Sequence, residues 1–479
     1  MQSTKLIRLL KSLNQSEIRQ FKDFVNSPVY NKNKNTAKLF DEIKKFYPEF
    51  TNKNLDEKRI FGKIFPDEKY DYFKLKLAVS DLFKIGIEFL TFLSFKNENQ
   101  KKTEILLREL RQRNLDSIYQ QTFKSAEKQI ESSAVKDELY FFHKLNLAYE
   151  KISFQVTKKP NEVIHIQQEM LDLFIRYYII KSMKYYNVML HEELQNNVKY
   201  NMGMFDEILN FIKNNNFEDI PVIKVYYNII MLETERDDMY FYSLRELGKK
   251  YKDELNEVDN YMIFLHLNSH CAYAFNRLSR TDLIKIQFEL VKEKNSFKFE
   301  NIGKILYPDF LNEVKISVNA KEFEWAENYI KNNINNITGE EESSLNFCYG
   351  YINFKKGNFI DALDLFSKTN FPNFILKLQV KIYQLQIFYE MNYFEQIISN
   401  IDSFRHYLKR EDTIKESFKV SFYDFLRITN ELVKFKTDQK KYDVEYYREK
   451  IIKDIDSMKS NQFGIKIWLY DKAKKLFDN

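Results

Sequence analysis

Two histidines lie four residues apart and could share one face of a helix at the spacing of metal ligands. They are His266 and His270 in the segment FLHLNSHC, which ends at Cys271. Zinc proteases with this spacing carry a glutamate directly after the first histidine, but this chain has Leu267 there. A zinc site would also need a third and a fourth ligand from elsewhere in the chain. We therefore interpret both histidines as hydrogen-bonded groups on a helix and expect neither a metal nor another cofactor.

A second group, with acid–base character, consists of His191, Glu192 and Glu193 in the segment MLHEEL. Such triplets are common on exposed helix faces, and the neighbouring residues supply no nucleophile and no oxyanion site. The chain also lacks the glycine patterns GxxxxGK[ST], GxGxxG and GxSxG that bind phosphates or present a nucleophilic serine. We expect no catalytic residue and interpret the protein as non-enzymatic.

The elements that carry these residues are predicted to be helices throughout. Glycine occurs 9 times and proline 7 times in 479 residues, far below their average usage of roughly 7% and 5%. Few turns therefore need special backbone angles. Hydrophobic residues make up 44% of the chain and aromatic residues 16%, which is enough to form a core between packed helices. The composition predicts an all-α protein.

One segment, Leu345 to Pro372, reads as a helix, a tight turn and a second helix. A glycine at the turn, Gly357, can adopt the positive φ that closes a helix C-terminus. The second helix carries Phe359, Ala362 and Phe366 on one face, at spacings of three and four residues. The small central residue allows the two helices to approach closely.

The same pattern recurs at a nearly constant period. Thirty-six residues upstream the equivalent positions are Phe323, Ala326 and Ile330, and thirty-five residues downstream they are Phe394, Ile397 and Ile401. In the downstream copy Asn392 replaces the turn glycine, and asparagine also tolerates the left-handed conformation. A looser copy upstream contains Leu283, Ile286 and Leu290. Periods of this length indicate stacked helix pairs.

These residues resemble the tetratricopeptide repeat, a 34-residue helix pair. The resemblance rests on Gly350 in the first helix, on the turn glycine, and on the triplet Phe359, Ala362 and Phe366. It covers roughly residues 302–402, and the neighbouring copies match in the second helix alone. Three positions of the family pattern differ here, at Asn346, Asn353 and Phe374. The resemblance implies an α-α superhelix, a helical-repeat solenoid.

In the family that the chain resembles, particular positions of each first helix line a concave groove. Carried over to this sequence, those positions are Phe347, Tyr351, Phe354, Lys355, Ile382, Gln386, Tyr389 and Glu390. An extended or helical peptide would lie across Tyr351 and Tyr389, with Lys355 and Glu390 providing polar selection. An aromatic stripe at helical spacing is also typical of a core, and the pattern alone leaves both interpretations open.

Four regions are predicted along the chain. Residues 1–100, with short helices and three of the seven prolines, form an N-terminal helical capping domain. Residues 101–260 form a degenerate helix-pair solenoid, and residues 261–410 form the repeats that resemble tetratricopeptide repeats. Residues 411–479 form C-terminal helices that cap the solenoid, because terminal repeats must cover exposed core.

The charge and cysteine content indicate the kind of environment and partner. The net charge is +6, from 75 basic and 69 acidic residues that interleave along the chain, so we expect no dedicated nucleic-acid surface. The two cysteines, Cys271 and Cys348, cannot form a disulfide framework and are expected to be reduced thiols. The best membrane candidate, Ile85 to Phe95, is too short and contains Glu88. With no secretion signal recognised, we expect a cytoplasmic protein without a membrane span.

Three functions remain open from the sequence. The leading hypothesis is a protein-interaction scaffold or adaptor that binds a peptide or a partner protein on the concave face of the solenoid. The first alternative is a transcription or signalling regulator whose residues 1–100 contact nucleic acid. The second alternative is an enzyme whose site is enclosed by a helical shell. Neither the identity of the partner nor the oligomeric state follows from the sequence.

Overall fold

The computed structural model describes residues 4–51, 55–156, 158, 163–195, 198–297, 303–410 and 416–477. Within these ranges the protein contains twenty-three α-helices and no β-strand, apart from an isolated bridge between Ile305 and Ile337. The helices pack against one another. The prediction of an all-α protein is therefore confirmed.

The chain divides into two compact units, of which the first comprises residues 1–133 and 140–174 and the second comprises residues 134–139 and 175–479. The four regions expected from the sequence stay a prediction. The first nine helices are α1 (Lys5–Ser12), α2 (Gln15–Asn26), α3 (Lys34–Lys44), α4 (Glu57–Ile64), α5 (Tyr72–Asn97), α6 (Asn99–Gln112), α7 (Asp116–Glu131), α8 (Glu138–Gln155) and α9 (Val163–Gln195).

Fourteen further helices follow in the second unit. They are α10 (Phe205–Asn214), α11 (Pro221–Glu235), α12 (Asp238–Lys250), α13 (Glu257–Leu278), α14 (Ile284–Ser296), α15 (Tyr307–Asn319), α16 (Phe323–Asn333), α17 (Glu341–Lys356), α18 (Phe359–Ser367), α19 (Phe374–Glu390), α20 (Phe394–Arg410), α21 (Glu416–Thr437), α22 (Val444–Ser457) and α23 (Ile465–Phe477). None of the helices in the described ranges has the length and apolar character needed to cross a membrane.

The core of the first unit forms around three phenylalanine rings from different helices. Phe21 of α2 packs edge-on against Phe40 of α3, with ring centroids 4.8 Å apart, and against Phe89 of α5 at 5.0 Å. Helix α2 begins at a capping box, in which the side chain of Asn14 and the side chain of Glu17 each accept a hydrogen bond from the other's backbone N–H. The cap fixes where α2 starts and thereby which residues face the core.

Three consecutive helix pairs dominate the middle of the second unit: α15 with α16, α17 with α18, and α19 with α20. The turn inside each pair has one residue with a positive φ, namely Lys321 (68°), Gly357 (85°) and Asn392 (59°). The predicted left-handed conformations of Gly357 and Asn392 are thus confirmed. A large hydrophobic core extends continuously through these pairs and into α21, α22 and α23.

Close approach within the middle pair depends on small residues. Ala362 of α18 is fully buried, as is Ala326 of α16 at the equivalent position. In α17, a Cβ added at Gly350 would lie 3.1 Å from ring atoms of Phe366. Larger side chains at these positions would push the two helices of a pair apart.

Candidate functional site

A cavity of about 480 Å³ lies among the first helices of the pairs and the C-terminal helix of the second unit. Helices α13, α15, α17, α19 and α23 all contribute residues to its wall. Its volume is within the roughly 300–1,000 Å³ that is usual for small-ligand sites. The carboxamide side chains on its wall are those of Asn276, Gln287, Asn312, Asn319, Gln379 and Gln386. The aromatic side chains on its wall are those of Phe275, Tyr351, Phe354, Tyr383, Phe463 and Trp468.

Four of the eight residues predicted for a groove line this cavity together: Tyr351, Phe354 and Lys355 from α17, and Gln386 from α19. The four are spread over two consecutive first helices, as the family resemblance implies. Their role in binding stays a prediction, but the structure brings them to one wall.

The other four predicted residues have different surroundings. Phe347 and Ile382 are fully buried in the hydrophobic core, and Tyr389 packs its ring edge-on against that of Trp468, with centroids 5.2 Å apart. The carboxylate of Glu390 forms an ion pair with Lys472 of α23 at 2.5 Å. All four side chains are therefore engaged in contacts with other residues of the protein.

The aromatic side of the cavity is held in place by hydrogen bonding and ring contacts. The hydroxyl of Tyr351 donates to Oδ1 of Asn319 at 2.6 Å, and its ring lies 5.1 Å from that of Tyr383. The Nζ of Lys355 lies 5.4 Å from the ring centroid of Tyr351 and 5.5 Å from that of Phe354. These distances fit cation–π contacts, which keep the ammonium group at the aromatic wall.

The carboxamides on the cavity wall differ in whether they form hydrogen bonds with other residues of the protein. Gln287 donates to Oδ1 of Asn268 at 2.7 Å, and Gln379 accepts a hydrogen bond from Lys315 at 3.2 Å. Within the described part of the chain, the side chains of Asn312 and Gln386 make no hydrogen bond. Gln386 is only 3% exposed as a residue, but its amide atoms are not among the buried polar atoms that lack a partner, so they border the open space of the cavity. Buried carboxamides are normally hydrogen-bonded, so Gln386 has donor and acceptor capacity left for a ligand.

Lys315 of α15 places an amine at the cavity wall. Burial lowers the pKa of this amine to about 8, because desolvation disfavours the charged form. Cys348 lies nearby, and burial raises the pKa of its thiol far above the ordinary value, so the thiol is neutral. No ion pair in the described ranges involves Lys315. No motif in the sequence singles out this residue.

The segment before α23 is anchored to helix α13 by hydrogen bonds, and this anchor positions the part of the cavity wall that α23 forms. The side chain of Asn461 donates to the carbonyl oxygen of Phe275 at 3.0 Å, and its own Oδ1 accepts from the backbone N–H groups of Lys466 and Ile467. Gly464 follows with φ +80°, and a Cβ there would lie 3.3 Å from the ring of Phe275. This arrangement places Ile467, Trp468 and Asp471 on the cavity wall.

The two histidines with metal-ligand spacing each contact a carboxylate on another helix. Nδ1 of His266 lies 2.8 Å from Glu233, and Nε2 of His270 lies 2.9 Å from Asp238. Burial by itself would raise the pKa of Glu233, but the hydrogen bond and charge of His266, together with Arg236, lower it overall. Both contacts are of the kind expected for histidines that stabilise a helical core.

The residues of the acid–base group are not brought together at one site. His191 lies beside His266, with ring centroids 6.3 Å apart, and burial and this neighbour lower the pKa of His191. Glu193 instead accepts a hydrogen bond from the backbone N–H of Tyr200 at 2.6 Å, and Glu192 bonds the hydroxyl of the same tyrosine.

Three polar residues of the cavity wall were not predicted from the sequence, namely Lys315, Asn319 and Gln379, whereas Gln386 was among the predicted groove residues. A usable signal exists for the glutamines: Gln379 and Gln386 lie seven residues apart, on one face of a helix that is otherwise strongly apolar. Likewise, Lys315 and Asn319 are four residues apart, about one helical turn, and therefore lie on one face of α15. Polar residues in a buried stripe mark either a hydrogen-bond network or a cavity wall.

Comparison of the chain with protein-family models, with curated proteins and with solved structures finds no match. The function therefore has to be inferred from the residues of the chain itself.

Proposed function

We propose that the protein is a non-enzymatic interaction scaffold or adaptor and that its second unit binds a short peptide in the cavity. The three consecutive helix pairs, each with a positive-φ turn residue and a triplet on its second helix whose last two members are buried, support a superhelical solenoid that resembles tetratricopeptide repeats. In such an arrangement the first helices face the ligand. The cytoplasm is the compartment that we propose for this activity.

The unpaired carboxamide of Gln386 carries the proposal. A carboxamide offers an N–H donor and a C=O acceptor side by side, which is the complement of a peptide group. Because Gln386 is buried and makes no hydrogen bond within the described residues, a peptide group in the cavity would satisfy it. Asn312, on the same cavity wall, offers a second carboxamide without a hydrogen bond among the described residues, although it is more exposed than Gln386.

The remaining wall residues favour a peptide with an aromatic or aliphatic side chain and an acidic group. Tyr351, Phe354 and Trp468 supply flat apolar contact area. Of the charged residues on the wall, Lys315 and Lys355 are basic and Asp471 is acidic, so the local balance is positive. A carboxylate on the ligand would find Lys355 at the aromatic side of the cavity.

Affinity selection from a synthetic library of random octapeptides tests this function. We expect the full-length protein to enrich a defined set of peptides, and Gln386→Leu to weaken their binding by about tenfold, since one unsatisfied buried peptide group costs about 1–3 kcal/mol. The matched control is Gln396→Leu on α20, an exposed position that should leave binding unchanged. Enrichment of no peptide, or equal binding by both variants and the wild type, would contradict the proposal.

A further inference from the structure

The amine of Lys315 differs from the surface lysines in its surroundings. It lies on α15 at the cavity wall, and its Nζ donates to Oε1 of Gln379 at 3.2 Å. Gln379 is itself only 4% exposed, whereas Lys315 is of intermediate exposure, so this hydrogen bond is partly buried at the cavity wall. Lys184, another partly buried lysine, pairs with the carboxylate of Asp259. Lys315 has a neutral amide as its partner instead.

A neutral partner and burial together leave more of this amine unprotonated than in an ordinary lysine. With a pKa of about 8, against roughly 10.4 for an exposed lysine, its free-base fraction at pH 7 is roughly two-hundred-fold larger. The other titratable groups around the cavity are the neutral thiol of Cys348, the phenols of Tyr351 and Tyr383, and Lys355 and Asp471. None of them forms an ion pair with Lys315.

We propose that Lys315 is a nucleophilic amine that binds an aldehyde or ketone ligand covalently, as an imine. The ammonium group first loses a proton to water, and the nitrogen lone pair then attacks the carbonyl carbon. The nitrogen then gives up its two remaining protons through solvent, the former carbonyl oxygen takes up two protons and leaves as water, and the C=N bond forms, so no oxidant or reductant is needed. Desolvated lysines in apolar surroundings are activated for this chemistry.

The cavity supplies what such a ligand needs besides the amine. Its volume of about 480 Å³ accommodates a small molecule. The unpaired carboxamides of Asn312 and Gln386 can orient polar groups of the ligand, and Trp468 and Phe354 can cover its apolar part. This site goes beyond peptide binding, because it involves a covalent bond and depends on a residue that the peptide proposal does not require.

Competitive reductive trapping tests the proposal on the full-length wild-type protein. The protein is exposed at pH 7 to a limiting amount of ¹³C-labelled formaldehyde with cyanoborohydride, and the trapping rate of each lysine is measured by peptide mass spectrometry. We expect Lys315 to be trapped at least tenfold faster than exposed lysines such as Lys331 on α16. A rate for Lys315 equal to or below that of the exposed lysines overturns the proposal.

A second variant separates a reactive amine from one that is merely accessible. Gln379→Glu places a carboxylate next to the Lys315 amine, which should raise the pKa of that amine and slow its trapping at pH 7 by tenfold or more. The trapping of Lys331 in the same sample is the internal reference. Unchanged relative trapping of Lys315 in folded Gln379→Glu would contradict the proposed origin of its reactivity.

Discussion

The backbone N–H of Asn461 donates a hydrogen bond to the carbonyl oxygen of Asn276 at 2.6 Å. The bond joins the segment before α23 to helix α13, across most of the second unit's sequence. Since α23 supplies Ile467, Trp468 and Asp471 to the cavity, this connection positions that part of the cavity wall. The ion pair between Lys472 and Glu390 fixes the same helix to α19.

Replacing the side chain that anchors this connection should loosen the cavity wall. Asn461 is fully buried and makes three side-chain hydrogen bonds, each with a net contribution of about 0.5–1.5 kcal/mol. We expect Asn461→Ala to lower the free energy of unfolding of the second unit by about 2 kcal/mol or more, measured by urea denaturation. The control is Asn400→Ala, whose side chain bonds only its own helix at an exposed site. Equal denaturation midpoints for the two variants would contradict this role.

The helix crossing inside the middle pair should not tolerate a larger side chain. Ala362 is fully buried, whereas Ile360, two residues earlier on the same helix, is 72% exposed. We expect Ala362→Phe to cost about 1–3 kcal/mol of stability through overpacking and Ile360→Phe to cost almost nothing. Thermal unfolding of both variants against the wild type measures the difference. An unchanged melting temperature for Ala362→Phe would show that the proposed repeat register is wrong.

The contact between Glu233 and His266 should make the free energy of unfolding depend on pH in the acidic range. The folded protein lowers the pKa of Glu233 below its ordinary value, so this group stabilises the fold above about pH 4.3. That contribution is lost as the pH falls through the folded-state pKa. We expect Glu233→Gln to be less stable than the wild type at pH 7, and this difference to shrink between pH 5 and pH 3.

The control for the pH dependence is Glu235→Gln, an exposed position on the same helix. Its stability should follow that of the wild type at every pH. A difference between Glu233→Gln and the wild type that stays constant from pH 7 to pH 3 would show that the carboxylate charge does not matter.

The features that could be predicted from the sequence depend on neighbours along the chain. A left-handed turn at Gly357 or Asn392 follows from the conformational freedom of these residue types, and the core-facing triplets, each with two buried members, follow from helical spacing. The position of Phe347 could not be predicted in the same way. It lies four residues before Tyr351 on one helix, and both side chains belong to the core, yet only Tyr351 also reaches the cavity wall.

The cavity itself was beyond prediction because it depends on contacts between distant segments. The bond from Asn461 to Asn276 connects positions that no local pattern relates. The orientation of α23 decides that Glu390 is paired with Lys472 and that Trp468 lies against Tyr389. The buried glutamines of α19 were visible as a polar interruption of an apolar stripe. That pattern by itself does not distinguish a cavity wall from an internal hydrogen-bond network.

Photo-crosslink mapping most directly tests the central claim that a peptide binds in this cavity. A peptide enriched from the octapeptide library is synthesised with one diazirine side chain and irradiated with the full-length protein, and the attachment sites are located by mass spectrometry. We expect attachment within α15, α17, α19 and α23, at or beside residues such as Tyr351 and Trp468, and about tenfold weaker attachment in Gln386→Leu at peptide concentrations well below the Kd. Attachment confined to other helices, with Gln386→Leu labelled as strongly as the wild type, would contradict the claim.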